Sequence, residues 1–178
     1  SVGATSFQPC LSGEYQPLEG STDCEVTLPG YYTSGAGSLE AVACQPGSYQ
    51  PNSRADMCVF AIPGSYVGHE AAVEYTICSV GTFQPNQGSS ECMVVEAGHY
   101  ATGEGAQNQI ACPVTTYQPM TGQTSCIDVE AGHYTNQMGS SEQVPCEPGT
   151  YQPMVKTTSC RDSPAGHFVP GSAATEFV

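Results

Sequence analysis

The ten cysteines offer this chain three kinds of chemistry: disulfide formation, metal ligation and dithiol exchange. They form two sets, Cys10, Cys44, Cys78, Cys112 and Cys146, then Cys24, Cys58, Cys92, Cys126 and Cys160, each with a 34-residue period. Separations alternate between 14 and 20 residues. No Cys-x-x-Cys occurs and no histidine stands at ligand spacing beside paired cysteines, so structural zinc and redox dithiols are not expected. Regular cysteine arrays belong to oxidising compartments, where bridges persist. Two regular pairings are open. Bridging across 14 residues engages every thiol, whereas bridging across 20 strands Cys10 and Cys160 for partners elsewhere.

His99, His133 and His167 share one position, within Gly-His-(Tyr/Phe), and His69 is out of phase. A row of imidazoles at that spacing could take metal or respond to pH. The plainer reading is a solvent-facing residue between packed neighbours, and no metal or other cofactor is assigned. Seventeen acidic residues face only Arg54, Lys156 and Arg161, for a net charge of −14. That balance excludes nucleic acid as a natural partner and disfavours anionic membrane surfaces. The acids are scattered, with no Asp-x-Asp cluster or EF-hand loop, so they read as a soluble surface or a diffuse cation binder. No nucleophile elbow, phosphate loop or metalloprotease helix occurs, so no catalytic residue is assigned and no enzyme activity is expected.

An aromatic residue returns every 17 residues, ten times: Tyr15, Tyr32, Tyr49, Tyr66, Phe83, Tyr100, Tyr117, Tyr134, Tyr151 and Phe168. Nine of these have glycine two positions earlier, and Thr115 is the exception. A strict period without insertions marks a repeat architecture, whose units bury their apolar faces only against neighbours. Aligning residues 112–128 with 129–145 places Tyr117 on Tyr134 and Gly122 on Gly139, while the cysteines fall on Val129 and Gln143. The elementary unit is therefore 17 residues, and alternate halves lack the cysteine pair. Gly, Pro, Ser and Thr at fixed offsets, without any 3.6-residue apolar period, predict short β-hairpins and essentially no helix. A Gly-x-aromatic strand is stopped by Pro, a turn follows (Gly20, Gly37, Gly88, Gly105, Gly122 and Gly139; Arg54, Ala71, Lys156 and Ala173 in the rest), and a return strand closes the half. The expected fold is a small disulfide-rich β repeat: ten half-units in five repeats, 10–43, 44–77, 78–111, 112–145 and 146–178, after a partial half at 1–9. At roughly 4.8 Å per strand the stack would be a rod on the order of 100 Å long. Each ring is expected to cover the neighbouring unit and supply most of the apolar area. The alternative for such a ladder of rings is a carbohydrate-binding stripe.

The bridged halves share Cys-x2-Gly-x-(Tyr/Phe)-Gln-Pro-x6-Cys, with Thr115 replacing the Gly in one and Gln-Pro in all five, as in CEPGTYQPMVKTTSC and CPVTTYQPMTGQTSC. This pattern resembles the ephrin-receptor-like cysteine-rich repeat and is similar to the single-disulfide module that opens tumour-necrosis-factor-receptor domains. The resemblance implies an extracellular elongated module and bridges within each half, Cys10–Cys24 through Cys146–Cys160; it implies no activity and no ligand. In that family both halves usually carry cysteines, and here every second pair is missing. Each bridged loop would contribute roughly 3 kcal/mol by chain-entropy reasoning.

No apolar run is long enough for a signal peptide or a membrane span, so the chain reads as mature or as a fragment, without membrane insertion. Residues 171–178 repeat the phase of 1–8: Ala4, Thr5 and Phe7 align with Ala174, Thr175 and Phe177. The expected partners are therefore copies of the same chain joined head to tail, or adjoining repeats of a longer one. No Asn-x-Ser/Thr sequon occurs, while Ser21-Thr22, Ser89-Ser90, Ser140-Ser141 and Thr157-Thr158-Ser159 are candidate carriers of O-linked glycans. Three functions are compatible: an extracellular or cell-surface rod, stalk or filament; a ligand-binding receptor-type ectodomain, with repeat two (Phe60, His69, Tyr75) the most divergent; and a cation-bridged adhesive matrix component. The unbroken period favours the first.

Overall fold

The computed structural model describes residues 7–178, so Ala4 and Thr5 of the phase-matched amino end lie outside the described residues. There are nine two-stranded antiparallel hairpins and no helix among the described residues. Every strand is two residues long, and each repeat-phase ring pairs with the residue ten positions on: Tyr15 with Glu25, Tyr32 with Val42, Tyr49 with Val59, and so on to Tyr151 with Arg161. The half at 163–178 keeps this register, with Phe168 and Val178 exchanging both backbone bonds at 2.9–3.0 Å.

The local cause lies in the turns. In Gln45-Pro46-Gly47-Ser48 the Ser48 amide donates to the Gln45 carbonyl at 3.0 Å, and Gly47 has φ +91°. Pro then Gly at the two central positions is what a type II turn selects. The chain enters the strand, makes one ring-bearing pair and meets the Gln-Pro that ends it. The following turn pivots on a residue with positive φ in all ten halves, including the four that lack glycine: Arg54, Ala71, Lys156 and Ala173 at +52° to +58°.

The described residues form two compact units, one running through Ile77 together with Gln84–Cys92, the other Cys78–Phe83 with Met93–Val178. The division falls inside the third repeat. In the first unit the amides of Gly13, Gly30, Gly47 and Gly64 donate to the carbonyls of Thr33, Gln50, Val67 and Gln84, and those of Gly37, Arg54, Ala71 and Gly88 donate back to Cys10, Thr27, Cys44 and Ala61. The second unit repeats both ladders: Gly98 to Gln118, Gly132 to Gln152 and Gly149 to Val169; Gly105 to Cys78, Gly122 to Val95, Gly139 to Cys112, Lys156 to Val129 and Ala173 to Cys146. Each unit is thus a stack of hairpins joined by backbone hydrogen bonds between successive halves.

The core follows these ladders, and rings join it against the next half: Phe83 packs with Val95 and Ala101, and Tyr49 against Ala61, Val67 and Ala72. Thr27, Cys44 and Ala61 in the first unit, and Val95, Cys112, Val129 and Cys146 in the second, are all fully buried. A second buried column follows the ring by one residue: Thr33, Gln50 and Val67, and in the second unit Ala101, Gln118, Thr135, Gln152 and Val169. Of the ten rings only Phe83 is buried; Phe168 is 59 % exposed and the other eight are half-buried. Strand geometry explains why most rings are covered only in part. Successive side chains point to opposite faces, so burying the residue after the ring turns the ring outward. There it lies against its cross-strand partner, and Val42, Val59, Met93, Ile110, Ile127 and Val144 in that column are 40–49 % exposed. These are ring–aliphatic pairs on a surface, each a modest contribution of roughly 0.2–1 kcal/mol.

Candidate functional site

Bridges form across 14 residues: Cys10–Cys24, Cys44–Cys58, Cys112–Cys126 and Cys146–Cys160, with Cα atoms 5.7–5.8 Å apart. Cys78 and Cys92 are disulfide-bonded as well, and no described cysteine is free. The spacing across 20 residues is not used.

Within each bridged loop the glutamine of Gln-Pro acts as a second clamp. Gln50 Nε2 donates to the Met57 carbonyl at 2.7 Å, one residue before Cys58, and its Oε1 accepts from the Asn52 amide at 2.9 Å. Gln16, Gln84, Gln118 and Gln152 make the same two bonds in their own loops. A primary amide suits this position because it donates and accepts at once. Sequence reading missed the clamp, although Gln-Pro in every bridged half was the signal for it.

In the unbridged halves, the residue in phase with the second cysteine takes one of three forms. Gln109 and Gln143 each accept from the amide of Glu96 or Glu130 at 2.9 Å and donate to the same residue's carboxylate at 3.2 Å. Tyr75 and Phe177 instead set a ring edge-on against Tyr49 and Tyr151, with centroids 5.5 and 5.1 Å apart. The third form is Ala41, which has no side chain to offer; beside it a cavity of about 370 Å³ is lined by Tyr15, Leu28, Tyr31 and Ala41. Interaction with the carboxylate of Glu25, its cross-strand partner, and a lesser desolvation push the pKa of the Tyr15 phenol above the usual 10.

The in-phase histidines turn back on their own entry turns. The Nδ1 atoms of His99, His133 and His167 lie 3.2–3.4 Å from the carbonyls of Ala97, Ala131 and Ala165, which can only accept, so Nδ1 carries the proton. His167 also packs edge-on against Phe177, with centroids 4.6 Å apart. Among the described residues no group of three or more His, Cys, Asp or Glu could hold a metal ion. The ion pairs among the described residues are Arg54–Glu14 at 3.5 Å and Lys156–Asp128 at 3.1 Å. Of the candidate glycan carriers, Ser21, Thr22, Ser90, Ser141, Thr158 and Ser159 are exposed, and Ser89, Ser140 and Thr157 are half-buried.

Chemically, this arrangement can hold its own backbone in register and present rings, aliphatics and carboxylates on the outside. No protein-family model and no curated protein matches the chain.

Proposed function

We propose that this chain is an extracellular structural module, a rod, stalk or filament segment that lengthens by stacking repeats of its own kind. One observation carries the reading: from Gly37 to Ala173, every turn-column amide donates to a carbonyl of the half before it, with or without a disulfide. A repeat so built offers the next one a ready template, whether that repeat follows in the same polypeptide or belongs to another copy. Ten disulfide-bonded cysteines suit an oxidising, extracellular or secreted setting, and the resemblance to ephrin-receptor-like repeats supports the same placement. Exposed turn hydroxyls leave room for O-linked glycans on the outer surface.

The test is dimensional. Chains carrying three, five and seven repeats should show a maximum dimension, by small-angle X-ray scattering, that rises linearly with repeat number. Native material should appear as uniform fibres in negative stain, unaffected by a chelator. A dimension growing as the cube root of mass would refute stacking. Discrete short monomers would favour the receptor-type ectodomain, and fibres dissolved by a chelator would favour the cation-bridged matrix.

A further inference from the structure

The cavity at Tyr15 is a vacancy at a position that the same polypeptide fills elsewhere. Counting 26 residues on from a bridged-half ring reaches Tyr75 from Tyr49, Phe177 from Tyr151 and Ala41 from Tyr15. In the first two cases an aromatic edge meets the ring at 5.5 and 5.1 Å. From Phe83 and Tyr117 the same count reaches Gln109 and Gln143, which are held by Glu96 and Glu130. Only at Tyr15 does the filling side chain shrink to a methyl group.

The walls differ in the same sense. The column containing Leu28 continues as Ile62, Glu96, Glu130 and Pro164, and the column containing Tyr31 as Ser65, His99, His133 and His167. The slot at Tyr15 therefore combines a missing side chain with an aliphatic wall and a second tyrosine. Leu28 is 64 % exposed and Tyr31 36 %, so both face the opening. A volume of about 370 Å³ is at the low end of the roughly 300–1,000 Å³ typical of ligand pockets, and suits a single side chain rather than a large ligand.

We propose that this slot is a docking site for one aromatic side chain of a partner polypeptide, flanked in that partner by lysine or arginine. The aromatic choice rests on what Tyr75 and Phe177 do at the equivalent positions, edge-to-face geometry being favoured between such rings. The flanking charge rests on the surroundings: Glu25 sits at Tyr15, and the whole chain carries −14. A cationic partner is steered toward such a surface.

The chain has no tryptophan, so a tryptophan probe reports binding without background. The full chain is titrated with acetyl-Lys-Trp-Lys-amide, following the indole emission and the ring resonances of Tyr15 and Tyr31. Saturable binding that shifts both tyrosines is expected, weakened at least tenfold in Ala41→Phe and in Ala41→Gln. The column itself accommodates a phenylalanine at 177 and glutamines at 109 and 143, so both variants have precedent in the fold. Acetyl-Glu-Trp-Glu-amide should bind at least fivefold more weakly. Equal binding by either variant overturns the site, and equal binding of the acidic peptide overturns the cationic partner. Methyl glucoside shifting the same rings while the peptide does not would assign the slot to sugar. Self-association abolished by Ala41→Phe or by Phe7→Ala, Phe7 being 97 % exposed and in phase with Phe177, would make the occupant a second copy.

Discussion

Residues 112–128 and 129–145 are built on one backbone plan and held shut by different chemistry. In the first, Cys112 is bridged to Cys126 and Gln118 clamps the loop through Ser125 and Met120. In the second, Val129 takes the buried cysteine position, Gln143 reaches back to Glu130, and Thr135 stands where Gln118 stood. Most bonds that each half makes to the next are nevertheless matched, the exception being the Thr115 amide, which ends on the Thr135 hydroxyl where Gly132 reaches the Gln152 carbonyl. Gly139 donates to Cys112 and Lys156 to Val129, at 2.8 and 2.9 Å; Gln118 donates to Ser140 and Thr135 to Thr157, at 3.0 and 3.2 Å. The difference teaches a division of labour: the backbone ladders make the stack, and the staple only constrains its own loop.

The sharpest way to break that division is to attack the ladder. Gly98 has φ +79°, and a Cβ placed there would lie 2.1 Å from the backbone carbonyl oxygen of Gly139. Gly98→Ala combines a left-handed backbone penalty of roughly 1–2 kcal/mol with overpacking of roughly 1–3 kcal/mol against atoms that cannot swing away. We expect a loss of about 3 kcal/mol in urea denaturation, with the Cys112 amide, bonded to the Gly98 carbonyl, losing hydrogen-exchange protection first. A change below about 0.5 kcal/mol, the range of an ordinary surface substitution, would show that the halves do not approach so closely.

That glycine column was legible in the sequence through its spacing alone, and so were the hairpins and their turns. The turn phase carried even Arg54, Ala71, Lys156 and Ala173, all of which adopt positive φ although none is glycine. The inner columns were not legible. One holds Cys, Val or Ala at eight of ten positions but reads as disulfide chemistry, and the other alternates Gln with Thr, Val or Ala, so no hydropathy signal accumulates there. Tyrosine, conspicuous in the sequence, drew the eye to a face that is only half-buried. The slot at Tyr15 was hidden for a related reason: it exists because Ala41 is small, and an alanine attracts no notice until Tyr75 and Phe177 show what its neighbours place there.

A comparable intervention exchanges the staples. Cys112→Ser with Cys126→Ser should cost about 3 kcal/mol through the freed loop of the unfolded chain. Cys112→Val, Pro113→Glu and Cys126→Gln together install the apolar residue and Glu–Gln pair of residues 129, 130 and 143 in the bridged half. This variant should regain about 1 kcal/mol over the serine pair, the usual net yield of a hydrogen bond. Amide exchange separates the two roles. The Met120 amide, bonded to the Gln118 side chain, should lose protection in the serine variant, while the Gln118, Gly122 and Gly139 amides keep theirs. Loss spreading to Gly139, whose donor bond ends on the Cys112 carbonyl, would mean that the disulfide supports the stack itself.

The smallest expected effect tests the turn column. Lys156 has φ +57° where most halves use glycine, and its ion pair with Asp128 joins side chains 57 % and 54 % exposed. Relief of the left-handed conformation in Lys156→Gly is worth about 1 kcal/mol, against no more than about 0.5 kcal/mol for an exposed ion pair. The variant should therefore be more stable, by roughly half a kcal/mol, despite losing a charge pair. Arg54 sets the contrast: its φ is +58°, but its partner Glu14 has a side chain only 20 % exposed, so the pair is less screened. Arg54→Gly should gain less than Lys156→Gly at low salt, and the two should converge in 1 M sodium chloride. If Lys156→Gly is destabilising at every salt concentration, the turn residue is held by its side chain and not by its backbone, and the ladders alone cannot account for the stack.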